Sequence, residues 1–291
     1  MAMLDGKVAV VVGATSGIGA RIAELFVAEG ASVVAAGRRA KAGEELAARL
    51  GPRSAFVRAD VTVESDVADL VTRTVERFGR LDCMVNNAGQ GGAVGSILSA
   101  DVDRFMETMR VHLGGVLAGM KHAAAAMQRT GTGSIVNVAS IGGRVAGWTA
   151  PDYSAAKAAI VHLTRCAAVE LAGAGIRVNS ISPGPTLTGI FAKAAGREAD
   201  DADRTSDLLA PVFAKRLEQW QPLPRVARPA DIAPAVAWLA SDASAFVTGQ
   251  DLAVDGGITA GRPFSVAVAE RRAIAEALAG ADGGRAHDRW A

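Results

Sequence analysis

Apolar residues follow two rhythms that alternate from residue 8 to residue 254. One is a short unbroken run such as Val8–Val12, the mark of a strand buried on both faces of a sheet. The other places an apolar residue every three or four positions, as at Ile18, Ile22, Leu25 and Phe26, with Gly30 suited to end that helix. The alternation predicts strands at Ser32–Ala36 and Ala55–Val57, with a helix between them on Leu46 and Leu50 that stops at Gly51-Pro52. A further helix lies on Val67, Leu70, Val71, Val75 and Phe78. Strands at Cys83–Val85 and Ile135–Val138 flank a helix through Phe105, Met109 and Val116, and Ile176–Ile181 and Leu252–Val254 complete seven strands. Strands joined by helices of this length predict an α/β fold: one doubly wound, seven-stranded parallel sheet with right-handed crossovers and helices on both faces. The reading assigns residues 1–261 to this single domain and 262–291 to a C-terminal extension, with an amphipathic helix at Val266–Ala279 and a frayed end.

Pro185–Pro224 breaks the rhythm and is longer than a plain connection, which predicts a lid or substrate loop. Its charged middle, Arg197–Asp207, is expected to face solvent or to be mobile.

Composition narrows the function. Half of the 291 residues are hydrophobic and 21% are charged, enough for a sizeable core and against global disorder. The net charge is +1, so no field of one sign favours nucleic acid or an anionic membrane. No apolar run approaches a membrane span, and Met1–Lys7 leads straight into the first strand without room for a secretion signal; a cytoplasmic protein is expected. Cys83 and Cys166 lie far apart and read as reduced thiols, and His122, His162 and His287 form no metal-ligand spacing, so no catalytic metal is expected.

The chemistry is concentrated where strands end. Gly13-Ala14-Thr15-Ser16-Gly17-Ile18-Gly19 lies between the first strand and the first helix. There a close backbone approach and a helix N-terminus with free N–H groups suit a dinucleotide pyrophosphate. The second strand ends in Gly37-Arg38-Arg39, without the carboxylate that would bond a ribose 2′-hydroxyl and repel a 2′-phosphate. Two guanidinium groups there predict NADP(H), with NAD(H) as the alternative and Arg38 as the contact. Tyr153, the one tyrosine of the chain, stands four residues before Lys157 at a helix start, so both occupy one helix face. An ammonium beside a phenol favours the phenolate and is expected to lower its pKa toward the working range of an acid–base catalyst. Ser140 follows the fifth strand, where ligands of doubly wound sheets bind, and can hold a substrate oxygen.

These motifs in this order resemble the short-chain dehydrogenase/reductase family, in its single-domain branch, over residues 5 to about 260. They are Gly13–Gly19, Asp60-Val61, Asn86-Asn87-Ala88-Gly89, Ser140, Tyr153-x-x-x-Lys157, Pro183-Gly184 with Thr188, and Asp255-Gly256-Gly257. The resemblance implies a Rossmann-type fold and a hydride moved between a nicotinamide cofactor and an alcohol or ketone. It implies cofactor contacts from Gly13, Thr15, Ser16, Gly17, Ile18 and Gly19, with Asp60 and Val61 flanking the adenine and Asn87, Ala88 and Gly89 near the ribose. Lys157 would bind the nicotinamide ribose and tune Tyr153, the acid–base, while Ser140 steadies the substrate oxygen. Pro183, Gly184, Thr186 and Thr188 would hold the carboxamide end. The resemblance also implies a homotetramer and a small-molecule alcohol or ketone as partner.

One position departs from the pattern. Similar enzymes carry an asparagine in the helix after the fourth strand, where it helps hold a water linking the lysine to solvent; here the run is Val111-His112-Leu113-Gly114-Gly115. The expectation is that His112 supports that relay, and a purely structural histidine is the alternative. The expected substrate walls are Gln90–Leu98, Ile141–Asp152 and Pro185–Pro224, which carry Trp148, Ile190, Phe191, Phe213 and Trp220 and suit a moderately apolar, cyclic compound. A second function class stays open: a non-catalytic NAD(P)-binding sensor of the same fold, which would accommodate His112 but has no need of Ser140, Tyr153 and Lys157.

Overall fold

The apolar runs become seven strands, β1 (Val8–Val12), β2 (Ser32–Gly37), β3 (Ser54–Arg58), β4 (Cys83–Asn86), β5 (Gly133–Val138), β6 (Ile176–Pro183) and β7 (Asp251–Val254). A computed structural model, which describes residues 2–92 and 96–281, pairs them all in parallel in the order β3-β2-β1-β4-β5-β6-β7. The chain winds outward from β1 to β3, then returns to lay β4 on the other side of β1. That reversal opens a crevice at the carboxyl ends of β1 and β4, the place where doubly wound sheets bind ligands.

Alternation within the strands feeds two cores. Val11, Val33, Val85, Val136 and Ile181 face α1 (Gly17–Ala28) and α10 (Pro229–Ala240). Val10, Val12, Val34, Met84, Ile135 and Val178 face α3 (Glu64–Phe78), α5 (Gly115–Gln128) and α6 (Pro151–Leu171). Strands covered on both faces carry no polar rhythm, which is why they read as continuous apolar runs. Periodicity does not reveal α10, because its sequence PADIAPAVAWLA has no polar stripe. The remaining helices are α2 (Ala40–Leu50), α4 (Val102–Met109), α7 (Ile190–Ala194), α8 (Ala199–Arg204), α9 (Ala210–Leu217) and α11 (Phe264–Ala281).

Two departures from the sequence reading bear on the site. The helix through Phe105 and Val116 is α4 and α5 joined by a π-helical turn at Arg110–Gly114. The stretch from Pro185 to Pro224 is built of α7, α8, a 3₁₀ turn at Ser206–Leu209 and α9. At five and six residues, α7 and α8 are too short for a helical period to show. Beside the sheet's carboxyl end this lid adds a third apolar cluster, Ile141, Leu187, Phe213, Leu217 and Ile258, with Trp148 packed on it. The amphipathic helix of the tail runs over Phe264–Ala281; the expected frayed end and residues 93–95 of the Gln90–Leu98 wall lie outside the described residues. Among the described residues no helix is long and apolar enough to cross a membrane.

Candidate active site

The glycine turn is as tight as its composition suggests. Gly13 has a φ of 76°, and a Cβ there would lie 2.7 Å from Ala88 Cα, so the ends of β1 and β4 meet without room for a side chain. A Cβ on Gly19 would lie 2.2 Å from the Gly13 carbonyl oxygen, which fixes how closely α1 follows the turn. Asn87 locks the arrangement by donating from Nδ2 to the Gly13 carbonyl at 3.0 Å. Ser16 precedes α1 without capping it through its side chain, and the first turn of α1 holds no acidic residue. The positive end of the helix therefore faces the crevice uncompensated, as an anionic pyrophosphate requires.

From this turn a groove of about 810 Å³ runs past Arg38, Asp60 and Val61 to Asn87, Ala88, Gly89 and Thr188. Gly13, Thr15, Ser16, Gly17 and Ile18 line it as well. A dinucleotide fits this combination of length, backbone donors and helix terminus. Asp60 is an acceptor here: Thr62 donates to Oδ1 from its backbone at 3.0 Å and from its hydroxyl at 2.8 Å, and these bonds hold the carboxyl below its usual pKa. Gly19, Pro183, Gly184 and Thr186, expected as cofactor contacts, are not among the residues that line the groove. Pro183 ends β6, a Cβ on Gly184 would lie 2.8 Å from Asp255 Cα, and the Thr186 hydroxyl donates to the Gly184 carbonyl at 2.9 Å.

The two arginines after β2 part company. Arg38 is 67% exposed, 4.0 Å from the Asp60 carboxylate. Arg39 turns inward: Nη1 donates to Asp200 at 2.8 Å, Nη2 lies 2.9 Å from Asp203, and Nη2 also donates to the Thr15 carbonyl at 3.2 Å. The charged middle of the lid thus does not face solvent throughout, as the sequence reading expected. Asp203 is drawn onto Arg39 and Lys193, the latter at 2.7 Å.

Ser140, Tyr153 and Lys157 come together at the carboxyl end of β5. Ser140 starts a 3₁₀ turn, and its Oγ accepts from the Gly142 N–H at 3.1 Å, which leaves its own O–H to donate. Pro151 sets the first turn of α6 and brings Tyr153 and Lys157 onto one face, with the Lys157 ammonium 5.4 Å from the tyrosine ring centre. Lys157 is buried and donates to the Val138 carbonyl at 2.8 Å. The expected lowering of the Tyr153 pKa is not what this environment produces. Burial pushes the phenol up to about 12, against a smaller opposing pull from its hydrogen bond with Ser140. Burial acts on Lys157 too, and lowers it to about 7. Desolvation is the largest cause at both groups.

His112 sits in the π-helical turn, buried, with its ring edge-on to Tyr153 at 5.2 Å between ring centres. Its Nε2 lies 3.0 Å from the Gln90 carbonyl oxygen and 3.3 Å from the Gln90 N–H, so either tautomer finds a partner on Gln90, while Nδ1 is buried without one among the described residues. Burial and the Lys157 ammonium drive its pKa down to about 3, so the ring is neutral near neutral pH. Its carbonyl accepts from the Gly115 N–H in the bent helix.

Sequence reasoning missed a supporting layer. The Thr108 hydroxyl donates at 2.7 Å to buried Asp152, the residue before Tyr153. A Cβ on Gly92 would lie 2.7 Å from Tyr153 Cβ and 2.6 Å from Asp152 Oδ1, so the loop after β4 presses directly on the tyrosine. Only the adjacency of Asp152 and Tyr153 in the chain hints at this.

Comparison with known proteins agrees with the geometry. A family profile described as "Enoyl-(Acyl carrier protein) reductase" matches residues 13–259. The chain is 44% identical over 257 residues to cis-4-hydroxycyclohexanecarboxylate dehydrogenase of Sinomonas cyclohexanicum, covering 87% of this chain and 97% of that protein. It is 40% identical over 261 residues to 2,5-dichloro-2,5-cyclohexadiene-1,4-diol dehydrogenase of Sphingobium indicum, covering 89% of this chain and all of that one, 100%. A crystal structure of a short-chain type dehydrogenase/reductase from Mycobacterium marinum superposes with a TM-score of 0.74 at 32% identity, over 88% of this chain and 96% of that chain. The crevice, the strand order and these likenesses together make the chain a member of the short-chain dehydrogenase/reductase family, an NAD(P)-dependent oxidoreductase of alcohols and ketones.

Proposed function

We propose that the chain interconverts a moderately apolar, cyclic secondary alcohol and its ketone with NADP(H), using Ser140, Tyr153 and Lys157 as the catalytic group. The observation that carries this reading is the cluster itself: a tyrosine, a lysine and a serine hydroxyl gathered in a largely buried site at the end of β5, beside a groove shaped for a dinucleotide. The nicotinamide cofactor supplies the hydride when bound. Gly13, Thr15, Ser16, Gly17, Ile18, Asp60, Val61, Asn87, Ala88, Gly89 and Thr188 hold it along the groove they line, and the proposal places Lys157 toward the nicotinamide ribose. Ser140 directs its O–H at the substrate oxygen, and Tyr153 exchanges a proton with that same oxygen through its hydroxyl. With its pKa pushed to about 12, Tyr153 is protonated at neutral pH and holds the proton that a ketone oxygen takes up on reduction.

The substrate side is apolar. Phe213 packs on Phe191 at 4.7 Å between ring centres, Trp148 meets Trp220 edge-on at 6.0 Å, and the lid cluster closes behind them. Two relatives named for six-membered-ring alcohols support a cyclic substrate. The NADP(H) preference is supported by the absence of an acid at the end of β2 and by Arg38 at the groove. The proposal includes a homotetramer in the cytoplasm; exposed Leu117 on α5 and Val169 on α6 supply apolar surface for assembly. Fluorescence titration with NADPH and NADH tests the cofactor assignment. Saturable binding, tighter for NADPH and weakened by Arg38→Ala, is the expected result; no binding of either, or equal affinities unchanged by the substitution, contradicts it. Turnover of cyclic ketones faster than open-chain ketones of equal carbon number tests the substrate class.

A further inference from the structure

The lid is tied to the glycine turn by a relay of ion pairs that the proton-transfer chemistry does not use. Lys193 on α7 lies 2.7 Å from Asp203 Oδ1, and Asp203 Oδ2 lies 2.9 Å from Arg39 Nη2. Arg39 Nη1 donates to Asp200 at 2.8 Å, so one guanidinium bridges two carboxylates of α8. At the other end, Arg39 Nη2 donates to the Thr15 carbonyl and hydroxyl, both at 3.2 Å, and Lys193 reaches the Ser16 hydroxyl at 3.3 Å. Asp203 and Arg39 are half-buried, at 23% and 25% side-chain exposure, which shields the pair from solvent better than a surface contact. Gly189 makes room for the relay, since a Cβ there would lie 2.2 Å from Asp203 Oδ1.

The placement of these acids matters because β2 ends without one. Its terminus is Gly37, followed by Arg38 and Arg39, and all three line the groove together with Thr15 and Asp203. Asp203 therefore reaches the end of the cofactor groove from a helix far along the chain, and Asp200, 74% exposed and 161 residues after Arg39, holds the same guanidinium from outside the lining. Like charge in the same small space opposes an incoming anion, and a guanidinium already held by two carboxylates has to exchange partners to accept a phosphate.

We propose that Asp203 and Asp200 are specificity-determining residues: through Arg39 they latch the lid onto the cofactor loop, and the 2′-phosphate of NADP(H) competes with them for that guanidinium. The inference rests on the reading that the groove takes a nicotinamide dinucleotide with its ribose 2′ position beside Arg38 and Arg39. The 2′-hydroxyl of NAD(H) has no charge to exchange, so it leaves the latch closed. The 2′-phosphate, with a charge of roughly −2, draws Arg39 away and loosens α8, so the form of the cofactor sets the state of the lid. Arg38, mostly exposed and outside the relay, is the guanidinium that meets the phosphate while the latch is closed.

The test pairs hydrogen exchange of the lid with cofactor titration, on wild type and on the double variant Asp200→Asn/Asp203→Asn. Without any cofactor, amides of residues 190–204 are expected to exchange several-fold faster in the variant. NADPH is expected to bind the variant about tenfold more tightly than wild type, the combined worth of two modest ion pairs, while NADH changes by less than about twofold. Unchanged lid exchange in the cofactor-free variant overturns the latch. Faster exchange with an unchanged ratio of NADPH to NADH affinity overturns the competition. The wild-type titration tests the underlying reading separately. A wild type that prefers NADH contradicts the NADP(H) assignment, yet a shift of the variant toward NADPH still upholds the latch. A wild type that binds neither dinucleotide removes both the reading and the competition, and leaves the exchange result to decide the latch alone.

Discussion

At the scale of residues, the site is governed by desolvation. Lys157 has a folded pKa of about 7 against an ordinary value of 10.5. Between those values the unfolded chain binds a proton that the native one lacks, so this group makes stability rise with pH across that window. Below about pH 7 its burial cost is fully present. Lys157→Met removes the effect. The melting-temperature difference, variant minus wild type, is therefore expected to be largest at about pH 7 and to shrink as pH rises toward 10. His112 behaves likewise at lower pH, its pKa reduced from 6.5 to about 3. Wild type is expected to lose stability from this source as pH falls from about 6.5 toward 3, and His112→Asn to lose less, as read by thermal unfolding over that range. His112→Ala is also expected to reduce turnover by roughly tenfold, because the ring bonds Gln90 and packs against Tyr153. Turnover unchanged across pH in that variant would leave His112 a structural residue.

Among elements, the loop after β4 and the lid act on the site from either side. A Cβ on Gly92 collides with Tyr153 Cβ and Asp152, so Gly92→Ala is expected to displace the tyrosine and lower turnover by about tenfold or more, a larger effect than on cofactor affinity even though Gly92 also lines the groove. Steady-state kinetics beside a cofactor titration separates the two. Much at this scale was legible beforehand. The seven strands were readable because burial on both faces leaves continuous apolar runs, and the glycine turn because a tight approach at φ 76° admits no side chain. The π-helical turn at Arg110–Gly114 was not, since one extra residue in a helix leaves the apolar pattern nearly unchanged. Nor were the contacts from Arg39 to Asp200 and from Thr108 to Asp152, which span 161 and 44 positions and leave no local signature. Tyr153 and Lys157 were legible as a pair, but the direction of their pKa shifts depends on burial that spacing does not report.

On the scale of the whole molecule, strand order and site belong to one argument. The reversal between β1 and β4 opens the crevice, the glycine turn and Asn87 shape its floor, and β5 delivers Ser140 beside Tyr153 at its end. The proposed homotetramer belongs to this scale: Leu117→Asp/Val169→Asp is expected to yield smaller species by light scattering if α5 and α6 form a subunit contact. The central claim is that this arrangement performs proton transfer at a substrate oxygen. It is tested most directly by Tyr153→Phe, measured for NADPH affinity and for turnover of a cyclic ketone in the same preparation. The account predicts cofactor affinity within about twofold of wild type and turnover reduced by about 10²- to 10⁴-fold. Turnover equal to that of wild type would contradict it, and would place the proton transfer on a group other than Tyr153.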